Sequence, residues 1–193
     1  AAAAQSGHIG TFGIQPRAPS TAYGYIKCGA SLDGAAMRVA SFVEKPDAAT
    51  AERYVRDGYL WNSGNFLFPA GLMLAEGARL EPDTTAAVTA AVAKAQEDLG
   101  FLALDADAFA AATSKSIDFA VLEHTQVAAV VAGDFGWSDI GAWDAVHAVN
   151  PADEAGNVTH GQVALTGSRG SYVYSDGKLV AGICAGTLAL ARA

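Results

Sequence analysis

The sequence predicts an α/β protein over residues 1–150, followed by a small strand-rich unit over 151–193. Three observations carry this expectation. The run "QVAAVVA" has too little polarity for a strand with a solvent-facing side, as in a sheet covered on both faces. Up to about residue 150, apolar bursts with strand character alternate with Ala-rich segments at helical spacing. Beyond that point the texture changes to short alternating stretches punctuated by glycines, "NVTHGQVALTG", "SYVYSDGKLVAGIC" and "TLALARA".

Taken in order, "AAAAQSG" carries no signal and "HIGTFGI" reads as a strand. It runs into "QPRAPSTAYGYIKCG", a long polar loop able to touch a ligand. "MRVASFVEKP" is strand-like and ends on a charged pair at a proline. Asp47 is placed to cap a helix over "DAATAERYVRDG", and Gly58 to stop it. "YLWNSGNFLFPAG" inserts a polar Asn-Ser-Gly between aromatic runs. "GLMLAEGARLEP" and "DTTAAVTAAVAKAQEDLG" have helical spacing, and "DADAFAAATSKSIDFAVLEHT" reads as two short helices about a polar joint. "SDG" between alternating apolar residues predicts a hairpin, because Asp-Gly accepts the positive φ of a tight turn.

Composition narrows the function. Hydrophobic residues make up 51% of the chain and charged residues 17%, so it folds around a core. No stretch approaches the roughly 20 apolar residues of a membrane span, and no signal peptide is visible; a soluble, cytoplasmic protein is expected. A formal net charge of -8, from 20 acids and 12 bases, argues against a nucleic-acid surface. A small anionic ligand remains compatible where a few cations and a metal act locally. Cys28 and Cys184 lie far apart, with no CxxC, and read as buried free thiols. The four histidines show no ligand spacing.

Several residues could carry chemistry, each with a plainer reading beside it. In "FVEKP", Glu44 and Lys45 would point to opposite faces of a regular strand unless Pro46 kinks the backbone. Glu44 could then accept from sugar hydroxyls and Lys45 meet a phosphate; otherwise the two form an exposed ion pair. In "WNSGNF", Asn62 suits a vicinal diol and Gly64 permits close approach to the backbone, or the three polar residues make a turn. Trp61 reads as core. Gly24 in "YGYI" could offer backbone groups to a hydroxyl or mark a bulge. Lys115 reads as solvated, Asp118 as the N-cap of "FAVLEH", and Arg17 as a loop cation. Asp139, in "GDFGWSDIGAWDAV", follows a buried strand, where open α/β sheets bind ligands, and suits Mg²⁺. The rival is that Ser138 or Asp139 merely caps "GAWDAVHAV".

In this order, "TFGIQPRAPSTAYGYI", "FVEKPD", "YLWNSGNFLF", "SIDFAVLEHT" and "GDFGWSDIGAWDAV" resemble the mannose-1-phosphate guanylyltransferase family. The resemblance implies a mostly parallel, Rossmann-like nucleotidyltransferase domain followed by a small β-helix-like region. It implies transfer of GMP from GTP to mannose 1-phosphate, giving GDP-mannose and pyrophosphate, with Mg²⁺. By similarity Asp139 is a metal ligand and catalytic, Lys45 is catalytic and contacts the sugar phosphate, and Glu44, Asn62, Gly64 and Gly24 form the mannose site; a homodimer is compatible with it. The family's Gly-rich loop, of the type GGxGTRLxPLS, and its second metal-binding Asp do not occur here. The chain therefore reads as a fragment with the sugar-phosphate half of the site, inactive alone, or else as a non-catalytic sugar-phosphate-binding or regulatory subunit.

Overall fold

The computed structural model describes residues 1–32, 34–183, 186 and 188–191. The chain divides into two compact units, Ala1–Phe135 and Gly136–Ala193.

The first unit runs α1 (Ala2–Gln5), β1 (Ile9–Ile14), β2 (Tyr25–Ser31), β3 (Ala36–Val43), α2 (Ala48–Arg56), β4 (Leu60–Leu67), α3 (Ala70–Leu80) and α4 (Pro82–Ala93). It continues through β5 (Gln96–Asp98), β6 (Phe101–Ala103), α5 (Ala106–Ala110), a π-turn at Asp118–Leu122, and β7 (Ala128–Gly133). Strands β1, β4, β2, β3 and β7 close into a ring in that order. The α/β class is as expected, but the sheet in this unit is mixed and not mostly parallel. Four neighbouring pairs are antiparallel, and β1 with β7 alone is parallel. A closed ring with an odd number of strands cannot alternate direction all the way round, so at least one pair must be parallel. Antiparallel neighbours can be joined by a short turn, as β2 and β3 are, whereas a parallel pair needs a long crossover, and most of the unit lies between β1 and β7.

Ile9, Ile26 and Val130 are fully buried in the main core, against Leu122 of the π-turn. Burial of each such side chain contributes roughly 1.5–3 kcal/mol. A second cluster of Tyr25, Ala51 and Tyr59 seats α2 on the sheet, with Tyr54 stacked on Tyr59 at 4.1 Å. Helix α2 begins and ends where its sequence signals lie. Asp47 Oδ1 accepts from Thr50 N at 2.8 Å, and Gly58 takes φ +76° beyond the last turn. The backbone and side-chain hydrogen bonds of Thr50 hold the Asp47 carboxyl below its ordinary range.

Two local expectations change. Helix α4 stops at Ala93, and β5 and β6 form a small hairpin where helical spacing was read to continue; Leu99 and Gly100 both adopt positive φ, as a two-residue hairpin turn requires. Asp118 is the first residue of the π-turn and caps nothing, for Ile117 is the N-cap and makes no side-chain bond.

The second unit contains α6 (Trp143–Ala148), β8 (Val158–His160), β9 (Val163–Leu165), β10 (Tyr172–Ser175), β11 (Val180–Gly182) and β12 (Leu188–Ala191). Strands β8, β10 and β12 stack in parallel, and so do β9 and β11, the arrangement of successive coils in a β-helix. The buried Asn157 ties coils together: its Oδ1 accepts from Ser171 N, and its Nδ2 donates to Ser168 O and Asp153 Oδ2. The expected "SDG" hairpin does not form. Gly177 takes φ +87° as the motif demands, yet β10 and β11 belong to different sheets. A turn signal fixes the local backbone, while the coil above or below supplies the pairing partner.

Cys28 is a free, half-buried thiol that burial pushes up in pKa; Cys184 lies outside the described residues. Among the described residues no helix is long and apolar enough to cross a membrane.

Candidate functional site

Strand β3 ends at Val43, and the chain then turns sharply. Lys45 sits at φ +47°, a left-handed conformation uncommon for a side-chain-bearing residue, just before Pro46, where an extended conformation is the usual one. The turn breaks strand alternation. Glu44 and Lys45 therefore share one side, with Lys45 Nζ 3.5 Å from Glu44 Oε1. The partners differ in setting: the Lys45 side chain is 58% exposed and that of Glu44 only 9%.

Glu44 Oε2 is buried and has no hydrogen-bond partner. A buried carboxylate oxygen left unpaired is costly. Burial, and then the nearby Asp118 carboxylate, push the Glu44 carboxyl above its ordinary value of 4.5, with Lys45 opposing them. The Oε2 atom crowds Gly24 so closely that any Cβ there would overlap it. Gly24 is thus glycine because a carboxylate occupies the space of a side chain. Its carbonyl accepts from Asn62 N at 2.7 Å, which joins β4 to the same site.

Asn62 lies on β4 where the strand bulges. Gly13 pairs with Asn62 but Thr11 pairs with Phe66, so the register slips across Ser63–Asn65. The polar triplet is a bulge within one strand and not a turn between two. Gly64 sits at the bulge with φ +71°, which favours glycine, and open space surrounds it. Asn62 itself is 8% exposed and its amide is heavily engaged. Oδ1 accepts from Thr11 Oγ1 at 3.1 Å and Gly64 N at 3.2 Å, and Nδ2 donates to Asp118 Oδ1 at 3.0 Å. Thr11, Asp118 and Glu123, whose Oε1 accepts from Glu44 N at 2.8 Å, were not singled out as members of the site from sequence. The signal available was "SIDFAVLE", two acids at a spacing that an α-helix would not bring together.

Trp61, the neighbour of Asn62, packs edge-on to Tyr23 at 4.8 Å and against the cluster that seats α2. Tyr25 anchors the proline-containing loop, its hydroxyl donating to Ser20 O and accepting from Ser20 N, both at 3.0 Å. Arg17 in that loop is exposed. Lys115 is exposed, as its solvated reading has it, and pairs with Glu81 at 2.7 Å.

Asp139 belongs to the second unit and is exposed. Residues 134–142 form no helix or strand; Ser138 Oγ accepts from Ile140 N and Asp139 Oδ1 from Gly141 N, and Ile140 adopts φ +49°. A β-branched residue in that region is strained, by of order 1–3 kcal/mol. The helix-cap alternative does not hold: the N-cap of α6 is Ala142, and no side chain caps it. Among the described residues no group of three or more His, Cys, Asp or Glu could enclose a metal. An exposed aspartate fits an ion such as Mg²⁺, which takes one or two protein carboxylates and fills its other positions with water and phosphate.

A mixed α/β sheet carries this cluster of a buried amide, a half-buried carboxylate and an exposed ammonium, and comparison with known proteins gives the class. Residues 1–156 match the Nucleotidyl transferase family, and the chain belongs to that family. Within it, the chain is similar to the mannose-1-phosphate guanylyltransferase of Klebsiella pneumoniae, 46% identical over 93% of this chain and 39% of the relative, and to that of Escherichia coli, 43% identical over 92% and 38%. The chain thus spans about two fifths of the length of these curated relatives. The crystal structure of mannose-1-phosphate geranyltransferase from Thermus thermophilus superposes with a TM-score of 0.79 at 33% identity, covering 100% of this chain and 55% of that one.

Proposed function

We propose that this chain holds mannose 1-phosphate as the acceptor in guanylyl transfer from GTP, giving GDP-mannose and pyrophosphate. The observation that carries the reading is Glu44 Oε2, a buried and unpartnered acceptor against a glycine, beside an ammonium. A sugar hydroxyl supplies the missing donor. The one amide proton of Asn62 not given to Asp118 reaches a second hydroxyl, and Gly64 leaves room at the bulge.

Lys45 meets the sugar phosphate and lowers its repulsion for the nucleotide. A phosphate oxygen then attacks the α-phosphorus of GTP; the new P–O bond forms as the bond to pyrophosphate breaks, in line. The chain needs no nucleophile of its own, since alignment and charge screening supply the rate. Mg²⁺, when bound, adds neutralisation of phosphate charge, and Asp139 is the residue that would hold it. The cytoplasm, where GTP is made and consumed, is the matching location.

Titration calorimetry of the chain with mannose 1-phosphate, free mannose and inorganic phosphate tests the reading. The sugar phosphate is expected to bind more tightly than either part, and Glu44→Gln to weaken it by about tenfold or more. Equal binding by inorganic phosphate, or none by the sugar phosphate, overturns it.

A further inference from the structure

We propose that the π-turn Asp118–Leu122 is a brace for the sugar site, in which Asp118, with Thr11 opposite, is a positioning residue that locks the Asn62 amide in one orientation. The inference rests on the reading that Asn62 and Glu44 hold sugar hydroxyls.

A side-chain amide presents two chemically opposite ends of nearly equal shape. Left alone, Asn62 could offer either to a ligand. Its neighbours remove that freedom. Thr11 Oγ1 and Gly64 N both donate to one end, which must therefore be oxygen, and the Asp118 carboxylate accepts from the other, which must be nitrogen. A flipped amide would set its NH₂ against the Gly64 N–H and its oxygen against the Asp118 carboxylate. With Oδ1 accepting twice and one N–H given to Asp118, a single amide proton is left for a ligand. The site thus asks for a hydroxyl that accepts at Asn62 and a hydroxyl that donates at Glu44 Oε2.

The turn itself explains how two elements are set at once. Glu123 N donates to Asp118 O at 3.0 Å, the wide i→i+5 closure of a π-turn. In an α-helix, residues five apart point about 140° away from each other. Widening the turn brings them nearer one side, so that Asp118 reaches Asn62 on β4 while Glu123 Oε1 takes the Glu44 N–H beyond the end of β3. Leu122, on the same turn, is buried in the main core and fixes its position. Ligand binding then orders little that is not already ordered.

The test is calorimetry of the full chain with mannose 1-phosphate and with its monodeoxy analogues, each lacking one hydroxyl. The wild-type chain is expected to disfavour the analogue lacking the hydroxyl held by Asn62 by about tenfold. Asp118→Ala is expected to weaken mannose 1-phosphate by a similar factor and to erase that particular discrimination. Asp118→Asn retains an acceptor for Asn62 Nδ2 and restores most of both. A folded Asp118→Ala chain that keeps the discrimination, or an Asp118→Asn chain no better than Ala, overturns the brace. Should Asp118→Ala fail to fold, Thr11→Val, similar in shape but without the donor, decides in its place: unchanged discrimination overturns the inference, and its loss supports it. Failure of the wild-type chain to bind any sugar 1-phosphate would instead refute the functional reading on which the brace depends.

Discussion

The site around Glu44 and the segment around Asp139 are built in opposite ways. At the first, two strands and a π-turn converge, Thr11 and Asn62 are buried while Glu44, Asp118 and Glu123 are half-buried, named partners hold the Asn62 amide and the Glu44 backbone, and one buried acceptor, Glu44 Oε2, is left without a partner. At the second, an exposed loop without regular structure is shaped by Asp139 and Ser138 bonding to backbone two residues on, around a strained Ile140. The contrast fits their proposed ligands. Neutral hydroxyls are selected by fixed donors and acceptors, whose geometry must exist beforehand. A hydrated ion that takes most of its ligands from phosphate needs one carboxylate and freedom to approach.

The contrast breaks most visibly at Asp139. In the full-length enzyme of which this chain is a part, Asp139→Asn is expected to lower Mg²⁺-dependent turnover by about a thousandfold while shifting the melting temperature little, because asparagine can still accept from Gly141 N. Near-normal rates at saturating Mg²⁺ would reduce Asp139 to a loop residue. Next comes Gly24→Ala. Its Cβ would displace Glu44, so affinity for mannose 1-phosphate should fall by about tenfold or more, with a stability loss of roughly 1–3 kcal/mol; a variant that binds normally would mean that Glu44 does not need its observed place. In the same full-length enzyme Lys45→Ala, at an exposed cation, should raise KM for the sugar phosphate about tenfold and KM for GTP far less. Equal effects on both substrates would remove Lys45 from the acceptor side.

The smallest expected effect is on stability. The Glu44 carboxyl is raised in the fold, so its contribution is fully present below its ordinary value of 4.5 and is lost as pH rises through the raised value. Glu44→Gln, which cannot ionise, should therefore melt above wild type at pH 7, and the two should converge near pH 4. A gap that persisted at pH 4 would point to packing and not to buried charge. Together with weaker sugar binding, this would show stability given up for function at one oxygen atom.

Much of the fold could be read from local chemistry. Asp47 and Gly58 mark the ends of α2, the apolar "QVAAVVA" gives a strand between two others that is buried over Ala128, Ala129 and Val130 though Ala132 is exposed, and the change of texture near residue 150 announces a coil of parallel strands. Local chemistry misled where pairing was decided at a distance. "SDG" makes its turn without a hairpin, "NSG" looks like a turn and is a bulge, and Asp118 looks like a cap and serves Asn62, 56 residues away in sequence. Lys45 was expected to join Glu44 through a kink at Pro46, and the kink is a positive φ at Lys45 itself.

The sequence by itself determined which residue types were available: a Glu-Lys pair stopped by proline, an Asn beside a Gly, an Asp after a buried strand. Those follow from nearest-neighbour chemistry, which acts over a few bonds. Only the tertiary structure decided that Glu44 would be buried with one oxygen unpaired, that Gly24 would give it space, and that Thr11 and a π-turn would orient Asn62. Such choices depend on which distant strands pack side by side, and burial, unlike composition, is a property of the whole assembled chain.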